Sequence, residues 1–104
     1  MTPGATPARP APAPLMVDIA ATAAFMAGVQ KTDGEIPWSV DGKTDPWDHV
    51  ESAMGLDVAG YRLAAEAAYG WSERTQLADG SWWSEYRGGR PADGAHKDAN
   101  MTAY

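Results

Sequence analysis

The chain has 104 residues, with eight Lys+Arg against fourteen Asp+Glu and a net charge of −6. That length holds at most one small domain, and the acidic balance argues against nucleic acid or an anionic membrane as partner. Without Cys there is no disulfide, thiolate nucleophile, iron–sulfur cluster or cysteine zinc site.

Residues 1–14 read MTPGATPARPAPAP. Each Pro lacks an N–H and pushes its predecessor toward extended geometry, so neither a helix nor a sheet ladder forms there. With no large apolar side chain to bury, the stretch is expected to be a disordered, partly polyproline-like arm. It lacks the cationic start and uninterrupted apolar core of a signal peptide. No apolar run approaches the roughly 20 residues needed to span a bilayer. The expectation is a cytoplasmic chain whose structured domain covers residues 15–104.

From Leu15 to Gln30 the apolar residues Leu15, Ile19, Ala23, Met26 and Val29 recur every three or four positions, the stripe of an amphipathic helix. Asp18 near its start suits the helix dipole, and Asp33-Gly34 stops it. The next start is Asp45-Pro46-Trp47-Asp48: a capping carboxylate, Pro at the first helical position and an acid in the first turn. Its predicted buried stripe is Trp47, Val50, Met54 and Val58, closed by Gly60. A third helix is expected from Tyr61 to Gln76, burying Leu63, Ala64, Ala67, Ala68 and Trp71 and stopped at Asp79-Gly80. A fourth is expected to begin near Asp98. β-branched residues are sparse and no long period-two run occurs, so the fold class predicted is all-α.

Gln30-Lys-Thr-Asp33-Gly34-Glu-Ile-Pro-Trp38 matches Gln76-Leu-Ala-Asp79-Gly80-Ser-Trp-Trp83 as Q-x-x-D-G followed by Trp, 46 residues later. The stretch beginning at Asp48 matches that beginning at Asp98, 50 residues later. Two helices per unit, a D-G turn and this period indicate an array of helical hairpin repeats.

The Q-x-x-D-G turns, Asp79-Gly80-Ser81-Trp82-Trp83 and the string Thr44-Asp45-Pro46-Trp47-Asp48-His49-Val50-Glu51 resemble the α/α-toroid superfolds. These are the terpenoid cyclase/prenyltransferase group and the six-hairpin glycosidases. More narrowly, the chain is similar to the start of actinobacterial proteins labelled prenyltransferase. The resemblance implies an incomplete α/α toroid of about two hairpins and an isoprenoid or carbohydrate substrate. The Asp-rich acid motif and D-D-x-x-D are absent, as is a Cys ligand, so no cofactor or metal is expected. Too few hairpins are present to close a toroid. On that ground the chain is expected to be an N-terminal fragment, inactive alone, whose apolar faces need further C-terminal repeats or self-association to cover them. The main expectation is a prenyltransferase-like fragment. The alternatives are a six-hairpin glycosidase-like protein and a non-catalytic helical-repeat piece.

In such a toroid the inner-helix N-termini face the central cleft, which places Asp48, Glu51 and Asp98 there as candidate catalytic residues. Asp48 and Glu51 share a helix face, and glycoside hydrolysis needs two carboxylates flanking the scissile bond. Each also has a plain reading: Asp45 as N-cap, Asp48 as a dipole-compensating acid, Glu51 as a solvated side chain. The candidate substrate-binding residues are Trp47, His49, Trp83 and Tyr86, since aromatic faces stack on sugars or stabilise carbocations. The plain reading of His49 is a satisfied structural histidine. Trp71 is expected in the core, and Trp82 as a staple between layers.

Overall fold

A computed structural model describes residues 18–97. Three helices, α1 (Ile19–Val29), α2 (Pro46–Val58) and α3 (Arg62–Thr75), are followed by a two-stranded antiparallel ribbon of β1 (Tyr86–Arg87) and β2 (Arg90–Pro91). The fold is helical, as expected, with α2 and α3 forming a helical hairpin. The predicted arm over residues 1–14 and the fourth helix near Asp98 lie outside the described residues.

The helix ends follow from local chemistry. Asp18 caps α1, its carboxylate accepting from the Ala21 N–H at 2.9 Å. Asp45 caps α2 by accepting from the Asp48 N–H at 2.7 Å, with Pro46 at the first helical position. The hairpin then turns within a few residues, through Ala59 and a left-handed Gly60.

The core joins Ala23 and Val29 of α1, Ile36 of the first turn, Ala53 and Leu56 of α2, and Ala65 and Ala68 of α3. Trp71 is buried as predicted. The buried stripe of α2 is nevertheless Pro46, His49, Ala53 and Leu56 rather than Trp47, Val50, Met54 and Val58. On α3, Ala65, Ala68 and Trp71 are buried while Leu63 is 81% exposed. Ile19 on α1 is exposed as well. The buried residues of the two helices combine Ala53, Ala65 and Ala68 with Leu56, His49 and Trp71, while Val58 and Leu63 are left outside.

The two Q-x-x-D-G segments fold identically. In each, the Gln leaves the helix with φ −61° and ψ above 130°. Its side-chain amide donates to the Gly carbonyl, Gln30 to Gly34 at 3.1 Å and Gln76 to Gly80 at 3.0 Å. The Asp carboxylate accepts from the N–H two residues on, Glu35 or Ser81, at 3.0 Å. The Gly N–H bonds back three residues to Lys31 or Leu77. The first copy packs on α3: Gln30 also donates to the Ala64 carbonyl at 2.9 Å, and the Arg74 guanidinium donates to the Asp33 carbonyl. In the second, Lys97 Nζ donates to the Asp79 carboxylate at 2.7 Å.

The short ribbon is absent from the sequence expectation. Gly88 and Gly89, both with positive φ, make its two-residue turn, the backbone that favours tight hairpins. A bridge between Thr44 and Tyr86 ties this region to the start of α2 through two backbone hydrogen bonds of 2.9 and 2.7 Å.

Candidate functional site

The start of α2 is held by a buried polar cluster. Glu35, directly after the first D-G turn, is fully buried, as is Thr44. The Thr44 hydroxyl donates to the Glu35 carboxylate, and Lys31 Nζ stands 3.5 Å from its other oxygen. His49 is also fully buried. Its Nδ1 accepts from the Ile36 N–H at 3.1 Å, so Nε2 carries the proton and donates to the Ala68 carbonyl at 2.8 Å. The imidazole packs on Trp71 with centroids 4.5 Å apart. Burial is the main influence on His49 and lowers its pKa, which keeps it neutral.

These contacts fix Ile36, Pro37 and Trp38 beside the first turn of α2. Together with Phe25, Met26 and Val29 from α1 and Asp48 and Ser52 from α2, they line a groove of about 380 Å³. Trp38 is 52% exposed, a planar apolar face available to a ligand. Lys43 Nζ lies 4.0 Å from the centroid of its ring, and the Trp38 N–H donates to the Lys43 carbonyl at 2.8 Å.

Asp48 is the polar centre of the groove. Burial first, then the charge of Asp45, raises its pKa above the ordinary carboxylate value, while a hydrogen bond from Trp38 opposes the shift. A carboxyl so placed holds its proton more readily than a solvated one, as a general acid must. Apolar walls, one planar aromatic and one perturbed carboxyl suit binding a sugar ring beside a proton donor.

Asp48 is thus the predicted catalytic residue that lines the groove. Glu51 is one turn along α2, exposed and near enough to add to the rise in the Asp48 pKa. Asp98 lies outside the described residues. His49 and Tyr86, expected as ligand contacts, are buried and do not line the groove. His49 spends both nitrogens inside the core, and Tyr86 is 4% exposed, edge-on to Trp71 at 5.1 Å. The Tyr86 hydroxyl accepts from the Trp83 N–H at 3.2 Å. Trp47 is half-buried at the start of α2, outside the groove. Trp83 is half-buried with Lys97 Nζ 5.6 Å from its ring centroid. Trp82 joins its turn to α3, its indole N–H donating to the Ser72 carbonyl at 2.9 Å.

Sequence reasoning did not select Trp38, Phe25 or Met26 as site residues. The signal for Trp38 was its place after the D-G turn; its exposure was not readable. Nor did it notice Glu35, whose counterpart in the second copy, Ser81, is also buried. Among the described residues no group of three or more His, Asp or Glu is arranged to hold a metal ion, and no helix is long and apolar enough to cross a membrane.

Over 83 residues, 80% of its length, the chain is 48% identical to a protein of Mycolicibacterium hassiacum named MMP endo-(1,4)-3-O-methyl-alpha-D-mannosidase. By name, that relative is a glycosidase. The chain spans 23% of the relative's length. No protein-family model matches the chain. The similarity supports the carbohydrate alternative drawn from the sequence and gives no support to the prenyltransferase expectation.

Proposed function

We propose that this chain forms part of the substrate groove of a glycosidase that acts on α-linked mannose oligosaccharides. Within this reading it supplies one sector of an α/α toroid. Asp48 is the general acid that protonates the leaving glycosidic oxygen, and Trp38 is the platform on which a sugar ring stacks. The observation that carries the proposal is the Asp48 carboxyl, shifted toward its protonated form, in an apolar groove beside an exposed indole. The mannosidase name of the relative supplies the sugar.

Glycoside hydrolysis takes a second carboxylate, as base or nucleophile, at a separation that sets the stereochemical outcome. Glu51 and Asp98 are the candidates this chain offers.

The test begins with tryptophan fluorescence of the 104-residue chain, titrated with α-(1,4)-mannooligosaccharides and, as a control, with an isoprenyl diphosphate. Quenching by the sugar alone is expected, and Trp38→Ala should weaken binding by up to about tenfold, given roughly 0.5–1.5 kcal/mol for an aromatic contact. For catalysis, the matching segment of the Mycolicibacterium hassiacum protein is replaced by this chain. The chimera should hydrolyse the oligosaccharide, and Asp48→Asn in it should bind substrate but lose about a hundredfold or more in kcat. Full activity in Asp48→Asn removes Asp48 from the mechanism.

A further inference from the structure

The second Gln-x-x-Asp-Gly turn repeats the backbone of the first but not its neighbours. In the first, Gly34 is buried and lies flat on α3, where a Cβ would meet the Ala67 carbonyl oxygen at 2.1 Å. The Gln30 amide reaches both the Gly34 carbonyl inside the turn and the Ala64 carbonyl on α3. Arg74, near the end of α3, closes on the Asp33 carbonyl.

In the second turn the same three groups meet no helix among the described residues. Gln76 is exposed, and its amide donates to the Gly80 carbonyl alone. That amide is also the one group within 4 Å of where a Gly80 Cβ would stand. The Asp79 carbonyl accepts no hydrogen bond among the described residues, because Lys97 takes the carboxylate instead. An exposed side-chain hydrogen bond adds little once the lost rotamer freedom of a glutamine is set against it. The turn by itself therefore gives little reason to repeat the glutamine.

The first copy shows which occupant fits: a helix with small residues over the glycine, a carbonyl one turn earlier and an arginine toward its C-terminal end. The α3 of a second copy cannot serve, since its own first turn already covers Ala64 and Ala67. Spacing points to the same occupant. The first turn is followed by two helices and seats on the second of them, as neighbouring units of a repeat array do. One period of 46 residues beyond α3 lies past Tyr104. The mannosidase relative is long enough to hold such a helix, because this chain spans 23% of its length.

We propose that the second turn is the seat of a helix from a following repeat in a longer polypeptide. That helix sets small residues against Gly80, a backbone carbonyl on the Gln76 amide and an arginine on the Asp79 carbonyl. The assignment stands apart from the glycosidase reading, because it needs a repeat array and no particular activity.

Hydrogen exchange compares the 104-residue chain with the chimera, in which the rest of the relative is present. The amides of the second turn are expected to exchange at least about tenfold more slowly in the chimera. Gly80→Asn fills the seat with a residue that tolerates a left-handed backbone. In the chimera it should return the turn to the rate seen in the chain alone, while α1, α2 and α3 stay protected. Equal exchange in chain and chimera, or undiminished protection in folded Gly80→Asn, overturns the proposal. If the chimera does not fold, NMR of the isotope-labelled chain titrated with a stapled helical peptide of Arg62–Thr75 decides. Saturable shifts are expected at the Gln76 side-chain amide and the Gly80 N–H, with Arg74→Ala in the peptide weakening binding about tenfold; no shift at these groups overturns it. A dimer of the chain alone that Gly80→Asn dissolves also overturns it, since the occupant is then a second copy.

Discussion

The two D-G turns offer an internal control for the packing of the first one. Gly34 and Gly80 occupy the same position with φ of +98° and +89°, so alanine at either site meets a similar left-handed penalty of about 1–2 kcal/mol. Their surroundings differ. A Cβ on Gly34 would lie 2.1 Å from the Ala67 carbonyl oxygen and 2.6 Å from its carbon, both backbone atoms of α3. On Gly80 the nearest atom is the Gln76 amide nitrogen at 3.8 Å, an ordinary contact. Relieving the first clash means separating the turn from α3, which strains the Gln30–Ala64 and Arg74–Asp33 hydrogen bonds. Overpacking of this type adds about 1–3 kcal/mol, and the loss of net hydrogen bonding about 1 kcal/mol more. Gly34→Ala should therefore cost about 3–6 kcal/mol, and Gly80→Ala about 1–2 kcal/mol. Urea unfolding followed by tryptophan fluorescence measures both. Equal losses in the two variants would refute the argument, because only the contact with α3 separates them.

His49→Phe keeps a ring against Trp71 but leaves the Ile36 N–H and Ala68 carbonyl unpaired. It should cost about 2–5 kcal/mol in urea melts, with His49→Gln recovering part of the loss; equal melts of His49→Phe and the parent would contradict the assignment. Because burial lowers the His49 pKa, the unfolded chain binds the proton more readily. The stability due to the neutral imidazole is then complete above the unfolded value of about 6.5 and declines as pH falls toward the lower native value. Urea midpoints should drop from pH 7.5 to pH 5 more steeply in the parent than in His49→Gln, and parallel slopes would count against it. Thr44→Val removes the hydroxyl that donates to the buried Glu35 carboxylate and should cost about 1.5–3 kcal/mol. In the Glu35→Gln background, which carries no buried charge, the same change should cost clearly less; a double-mutant cycle measures the difference.

The element ends were legible in the sequence because they depend on single residues with one strong local preference. Asp45-Pro46 starts α2, Gly60 closes the hairpin and the repeated Gln-x-x-Asp-Gly makes the same turn twice. The buried faces were less legible. Large aliphatic residues dominate a hydrophobicity pattern, yet the buried residues of α2 and α3 include Ala53, Ala65, Ala68 and His49, and which face is buried is a tertiary event. The ribbon around Gly88-Gly89 was not legible, because strands of two residues leave no period-two pattern to read. In the groove, Asp48 was legible from its place in the first turn of α2. Trp38 was not, since four other tryptophans look the same in the sequence and only packing decides which one meets solvent. The Glu35–Thr44 pair joins residues from opposite sides of a loop, a contact that local pattern does not encode.

The bridge between Thr44 and Tyr86 bears on the order in which the molecule assembles. The α2–α3 hairpin closes through a short local loop, whereas this bridge joins positions on either side of the whole hairpin, and the Arg74–Asp33 bond spans a similar stretch. Loop-closure entropy delays contacts between distant positions until local structure has formed. The hairpin therefore condenses first, and the backbone around Thr44 is pinned only when the ribbon returns across it. A chain arrested with its helices already formed would pass a test for helicity and still lack the Thr44–Tyr86 bridge.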